Sequence, residues 1–277
     1  LTWCDRGVDG FRCDAGYKVP LPAWQYIIAR IRDQFPETIF LLEGLGGPWS
    51  ATEEILTEGG MQWAYSELFQ NFSGLEIASY LDYCLPQSRQ RGLWIHYSET
   101  HDNRRLAEKG RAWSLLRNRV CALASVSGGF GFACGVEWLA PEKIDVHATT
   151  GLAWGQPDNI VPEIAALNRL VSEHPAFFDG ARIERLSAVE SDVLVLLRES
   201  ADGQDRVLVL VNADVQHAAR VVVPPRALPF VQSGAIDLLG QTLPAIHSLP
   251  GGGRQVELER ESLVLDFEIL ALRRKVG

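Results

Sequence analysis

At 277 residues, with 47% hydrophobic and 22% charged residues, the chain has the profile of packed globular units and is too rich in apolar residues to be disordered. A formal net charge of -9 argues against a partner held by phosphate neutralisation, which needs a basic face, so nucleic acid is not expected. No stretch reaches the roughly 18 uninterrupted apolar residues of a membrane span, and no charged-then-apolar leader opens the chain.

The chain begins at Leu1 rather than a methionine and enters its most diagnostic motif almost at once, so it is expected to be the C-terminal portion of a longer protein. From residue 7 to 171, short apolar runs alternate with amphipathic helical stretches, the pattern of βα units on a parallel sheet. Strands are predicted over 8–13, 38–42, 62–65, 93–97 and 129–133. Helices are predicted over 22–35, with Trp24, Ile27, Ile28 and Ile31 on one face, and over 51–58, 75–85 and 112–125. A last helix lies within 152–174, started by Pro162, a favourable first-turn residue. Arg104, Arg105, Lys109, Arg111, Arg117 and Arg119 recur at helical spacing among acidic and apolar residues, which predicts a solvated helix face.

These βα units are too few to close an eight-stranded barrel, so about three more are expected before Leu1. After residue 178 the period changes, and strands are predicted over 188–198, 206–212, 220–223 and 262–272, separated by Gly, Pro and Asp turns. The predicted fold class is α/β: an incomplete (β/α)8 TIM-type barrel over 1–178, followed by an all-β antiparallel sandwich over 179–277. Gly251, Gly252 and Gly253 form a loop tip without the strand-loop-helix context of a phosphate cradle. Cys4, Cys13, Cys84, Cys121 and Cys134 are odd in number, lack CxxC spacing and sit in apolar runs, which predicts small hydrophobes, no metal site and a reducing, cytoplasmic location.

Three predicted strands are followed by carboxylates: Asp14 ends Phe11-Arg12-Cys13-Asp14, Glu43 ends Phe40-Leu41-Leu42-Glu43, and Asp102 follows the strand at 93–97. In a parallel barrel the C-terminal strand ends converge on one pocket, so acids distant in sequence can meet. A lone strand-end acid is more often a helix cap. Three in succession, with Arg12 and His101 beside them, point instead to acid/base chemistry on a sugar, which needs one protonated and one ionised carboxyl. Arg12 lies on the same strand face as Asp14 and can hold it ionised, whereas the apolar frame of Phe40, Leu41 and Leu42 would favour the proton on Glu43. Asp14 is thus the predicted nucleophile and Glu43 the acid, then base.

Gly10-Phe11-Arg12-Cys13-Asp14 followed by Pro20 resembles the second conserved region of the α-amylase family, Phe40-Leu41-Leu42-Glu43-Gly44 the third, and Glu99-Thr100-His101-Asp102-Asn103 the fourth. Residues 129–137 are similar to that family's eighth-strand segment, 167–176 to its final barrel helix, and 207–213 with 237–239 to the β-sandwich domain that follows. The stretch around Trp24 and from Phe35 to Trp49 is similar to the bacterial maltosyltransferase relatives, although those differ around the fourth region, where this chain keeps His101-Asp102. The resemblance implies a retaining glycosidase or transglycosylase acting on α-glucans or malto-oligosaccharides by double displacement. It makes Asp102 the third catalytic carboxylate and assigns Arg12 to orienting Asp14. His101, with Asp102, binds hydroxyls of the sugar at the cleavage point. Tyr17, Trp49, Trp138 and Trp154 are expected in loops after strands, with Tyr17 and Trp49 taken as substrate-binding platforms. No cofactor is predicted; calcium is common in the family, but its usual ligands lie largely in the part expected before Leu1. The family's first region is absent, so this chain by itself is not expected to form a complete site. Two alternatives are a non-catalytic carbohydrate-binding member of the family, opposed by the intact Asp14, Glu43 and Asp102, and a metal-dependent barrel hydrolase, opposed by the lack of ligand-spaced clusters.

Overall fold

The computed structural model describes residues 1–148, 151–231, 235–259 and 262–267. The chain divides into two compact units, Leu1–Glu67 with Tyr83–His96, and Leu68–Asp82 with Tyr97–Gly277. Among the described residues no helix is long and apolar enough to cross a membrane.

The first unit opens with a short helix α1 (Thr2–Asp5) and continues through β1 (Gly10–Cys13), α2 (Leu21–Arg32), β2 (Ile39–Leu42), α3 (Trp49–Thr57) and β3 (Trp63–Tyr65). It then takes in the latter part of α4 (Gly74–Gln90) and most of β4 (Leu93–Tyr97). The strands run parallel in the order β1-β2-β3-β4, with Gly10 opposite Ile39 and Cys13 opposite Leu42. Gly10 is required there, because a Cβ would stand 2.9 Å from the Ile39 carbonyl oxygen. In α2, Pro22 occupies the first turn, Arg30 and Arg32 complement the C-terminal dipole, and Ile28 and Ile31 are buried. They join Phe40, Leu42, Ile55, Leu56, Ala64 and Trp94 in the core of this unit. Trp49, expected in a loop, is the first residue of α3, because Pro48 starts that helix. The helix predicted over 75–85 runs on to Gln90 through Pro86, with Leu81, Cys84 and Leu85 buried along it.

The second unit contains α5 (Arg111–Leu123), β5 (Phe130–Gly131), α6 (Val161–Glu173) and two antiparallel sheets. β5 is shorter than predicted. Gly131 lies so close under Tyr97 that a Cβ would meet the ring at 2.6 Å, and Gly135, at φ +91°, then turns the chain. The first sheet comprises β6 (Arg182–Arg185), β7 (Val193–Glu199), β8 (Arg206–Asn212), β10 (Ala235–Asp237) and β13 (Ser262–Phe267), in the order β10-β13-β8-β7-β6. The second, β11-β12-β9, comprises β9 (Ala219–Val222), β11 (Ile246–Ser248) and β12 (Arg254–Leu258). Val193, Val195, Leu208 and Leu210 of the first share one buried cluster with Val221, Val256 and Leu258 of the second. The predicted strand over 262–272 is described only to Phe267.

The basic stretch is not the uniformly solvated face expected. Arg104, Lys109 and Arg111 are exposed, but Arg105 and Arg117 are buried. Arg117 donates to the Leu68 and Asn71 carbonyls at 2.6 and 2.7 Å, so its charge is spent on capping backbone oxygens inside the unit. Cys4, Cys13, Cys84 and Cys121 are buried free thiols, and Cys134 is free and exposed.

Candidate active site

Strand alternation places Arg12 and Asp14 on the same side of β1. Arg12 Nη1 lies 2.6 Å from Asp14 Oδ1, and Arg12 Nε donates to the Tyr65 hydroxyl at 2.9 Å, with the guanidinium 5.3 Å from that ring. Burial acts to lower the Arg12 pKa, but its hydrogen bonds to Asp14 and Tyr65 outweigh this and raise it. Arg12 is thereby a fixed cation. Asp14 is 77% exposed at the end of the strand. Burial pushes the neighbouring Cys13 thiol up to about 11, which keeps it protonated and unreactive at neutral pH. Tyr65 carried no mark in the sequence beyond ending a strand.

Glu43 directly follows β2, and its backbone is stitched to the end of β1 and the turn after it: Glu43 N–H donates to the Cys13 carbonyl at 3.0 Å and Gly16 N–H to the Glu43 carbonyl at 3.1 Å. The carboxylate is buried, but its partners are not the apolar frame expected. Ala15 N–H donates to Oε2 at 2.7 Å and Leu45 N–H to Oε1 at 2.8 Å. Phe40 and Leu42 instead face the core, because side chains alternate along the strand. Ala15 donates from a left-handed backbone conformation, φ 42°, sparsely populated by non-glycine residues, at the turn that links the two strand ends.

The glycines after Glu43 have packing roles that composition did not disclose. A Cβ on Gly44 would stand 2.5 Å from Thr52 Oγ1, and one on Gly47 2.7 Å from the Tyr17 ring. Tyr17 therefore lies against the loop that follows Glu43. Trp49 stacks on Tyr83, with centroids 4.2 Å apart, and its indole N–H donates to Glu67 at 2.8 Å, leaving it partly exposed. Arg12, Asp14, Tyr17, Glu43 and Trp49 all belong to the first unit, with Trp49 held by Tyr83 and Glu67 instead of by the strand-end acids.

His101 and Asp102 belong to the second unit, in the loop after β4. His101 Nε2 stands 3.4 Å from Asp102 Oδ2, and Lys143 donates to the Asp102 carbonyl at 2.8 Å. Both ends of this loop are tied by a buried ion pair that sequence reasoning missed. Glu99 and Arg105 meet at 2.7 Å, Leu106 N–H donates to Glu99 at 2.6 Å, and Arg105 Nη2 donates to the Cys134 carbonyl at 2.8 Å. Helical spacing predicts a surface position for Arg105, and its burial rests on this pairing and on the distant Cys134 carbonyl.

Burial pushes the Glu99 carboxyl up to about 6, against the opposing pull of Leu106 N–H and Arg105. A carboxyl whose pKa is higher folded than unfolded adds stability below its ordinary value of 4.5, and that stability is lost as the pH rises through about 6. Glu99→Gln mimics the protonated form, so wild type should lose about 2 kcal/mol relative to the variant between pH 4 and 7. Denaturant midpoints of the two proteins across that range check this; parallel pH profiles would refute it.

No family model matches the chain. It is 28% identical over 235 aligned positions to an α-1,4-glucan:maltose-1-phosphate maltosyltransferase of Cereibacter sphaeroides, covering 79% of this chain and 38% of that protein. A protein of the same name from Pseudomonas aeruginosa is 29% identical over 293 aligned positions, covering 99% and 42%. The chain thus spans about two fifths of these relatives. Among solved structures it resembles a Geobacillus thermoleovorans α-amylase complexed with acarbose (TM-score 0.75, 14% identity, 95% of this chain and 61% of that one). It also resembles the γ-CGTase of alkalophilic Bacillus clarkii (TM-score 0.71, 18% identity, 96% and 41%). The parallel βα sheet is of the TIM-barrel type, accompanied by antiparallel sheets, and this is the fold of those enzymes. In its three motifs and in these relatives the chain is similar to the α-amylase family, and it shares the fold of the solved structures.

Proposed function

We propose that this chain carries the catalytic carboxylates of a retaining α-glucan glycosidase or transglycosylase. The observation that supports this best is the join between β1 and β2, where Asp14, paired with Arg12, follows Cys13 in register with Leu42, and Glu43 follows Leu42, so the two acids leave the same ends of neighbouring parallel strands. Asp14 attacks the anomeric carbon as Glu43 gives its proton to the departing glycosidic oxygen, forming a glycosyl ester on Asp14. Glu43 then takes a proton from the acceptor, water or a sugar hydroxyl, which displaces Asp14. Arg12 pairs with Asp14 and aims it, and Tyr65 fixes Arg12. Asp102 and His101 bind hydroxyls of the sugar being cleaved, with Tyr17 and Trp49 as stacking surfaces for neighbouring glucose units. The relatives named maltosyltransferases favour an α-1,4-linked substrate.

On this reading residues 1–178 are the C-terminal part of a (β/α)8 barrel and 179–277 a β-sandwich, supported by the core shared between the two antiparallel sheets. The test is stereochemical: proton NMR of a freshly started reaction on a malto-oligosaccharide should show the α-anomer first. A β-anomer as first product would refute double displacement.

A further inference from the structure

Two cavities of the second unit adjoin at Lys109 and Trp113. One, of about 510 Å³, opens beside the His101-Asp102 loop, with Gln70, Phe72, Asn103, Arg104 and Glu108 in its wall. The other, of about 540 Å³, passes Ser73 and Gly74 to reach Asp192, Asp214 and Gln216. Its floor is close-packed, since a Cβ on Gly74 would stand 2.8 Å from the Ser191 carbonyl oxygen. Where the cavities meet, the Phe72 and Trp113 rings lean together with centroids 5.9 Å apart. Buried Arg117 stands 5.6 Å from each ring and exposed Lys109 4.8 and 4.7 Å from them. Phe72 is 46% exposed, unusual for a ring that could have packed inward.

The lining selects a ligand class. A polyanion would meet Glu108, Asp192 and Asp214, and a polycation would meet Arg104 and Lys109. A purely apolar ligand would leave the Gln70 and Gln216 amides against apolar surface, at a cost for each. A neutral polyhydroxylated chain satisfies them all, with C–H faces against the ring pair and hydroxyls bridging amides, carboxylates and the Lys109 ammonium. We infer that these two cavities form an accessory binding track for α-linked glucose units, leading away from the His101-Asp102 loop towards Asp192 and Asp214. The sugar class rests on the function proposed above; the track itself does not require that function to be catalytic.

The test uses the full-length protein, with maltoheptaose, a short aryl α-maltoside and amylopectin as probes. Phe72→Ala and Trp113→Ala should each raise KM for maltoheptaose about tenfold, the worth of one aromatic contact. Their kcat/KM on the aryl maltoside should stay within about twofold of wild type. Trp113 is half-buried, so if Trp113→Ala fails to fold, Phe72→Ala, at an exposed ring, decides. In a native gel containing amylopectin, wild type should be retarded and Phe72→Ala should run faster, a readout independent of turnover. Equal mobility of the two, or an unchanged KM for maltoheptaose in an active Phe72→Ala, overturns the track. Wild type that is retarded but turns over neither substrate leaves the track standing and sinks the catalytic proposal instead.

Discussion

Asp14→Asn in the full-length protein is expected to lose several orders of magnitude in kcat on every substrate, because the neutral amide cannot form the glycosyl ester. Asparagine keeps the size of the side chain at a site that is mostly solvent-exposed, so a loss of that scale reports chemistry and not packing. Glu43→Gln should behave differently. An activated aryl glycoside departs with little protonation, whereas a glucan does not, so the variant should retain far more activity on the former. Azide needs no general base, and adding it should restore turnover on the activated substrate and give an α-configured glycosyl azide. Glutamine still offers an oxygen to Ala15 or Leu45 but brings an N–H₂ group towards the other donor, so its thermal midpoint should be recorded alongside. Equal losses on both substrates in a folded Glu43→Gln, with no azide effect, would remove Glu43 from the acid/base role.

The largest expected effect on stability lies far from the carboxylates, at Arg198. This residue of β7 is fully buried, and its guanidinium donates to the carbonyls of Ala176, Leu123 and Ser125 at 3.0, 2.9 and 3.0 Å, with the Phe177 ring centroid 4.0 Å away. The Leu123 carbonyl ends α5 and the Ser125 carbonyl lies two residues beyond it, where a cation complements the helix dipole and satisfies an oxygen that has no intrahelical partner. Burial pulls the Arg198 pKa down to about 9, which still leaves it charged at neutral pH. Arg198→Met fills similar space but strands three buried carbonyls, and should cost about 3 to 5 kcal/mol. Arg198→Lys should recover only part of that, since one ammonium lacks the planar fork that spans three acceptors. Urea midpoints at constant m-value measure both. An Arg198→Met protein within about 1 kcal/mol of wild type would show that the desolvation of the cation cancels its hydrogen bonds.

The parallel strands were legible because each carries a short apolar run bounded by turn residues, and residues 93–97 form β4 with the predicted limits. Helix α5 was legible from its period, within one or two residues at each end. What periodicity could not supply was the fate of charged side chains. Arg105, Arg117 and Arg198 read as surface residues or a strand end, yet each is buried on backbone carbonyls, and no local pattern encodes an acceptor about thirty to seventy-five positions away. The setting of Glu43 was misjudged for a related reason: its sequence neighbours are apolar, but its spatial neighbours are N–H groups of the turn at Ala15 and of Leu45. The strands β10, β11 and β12 escaped because they are short or carry polar residues, and only pairing with β13 and β9 completes them.

The central claim is that Asp14 bears the glycosyl group. Incubating the full-length Glu43→Gln protein with a 5-fluoro-α-glucosyl fluoride, whose good leaving group needs no acid and whose ester turns over slowly without a base, should trap the intermediate. Peptide mass mapping is then predicted to find a single added fluoroglucosyl group on the peptide containing Asp14, and none when Asp14 is also changed to Asn. A label on Asp102 or Glu43, or on the same peptide after Asp14→Asn, would contradict the account.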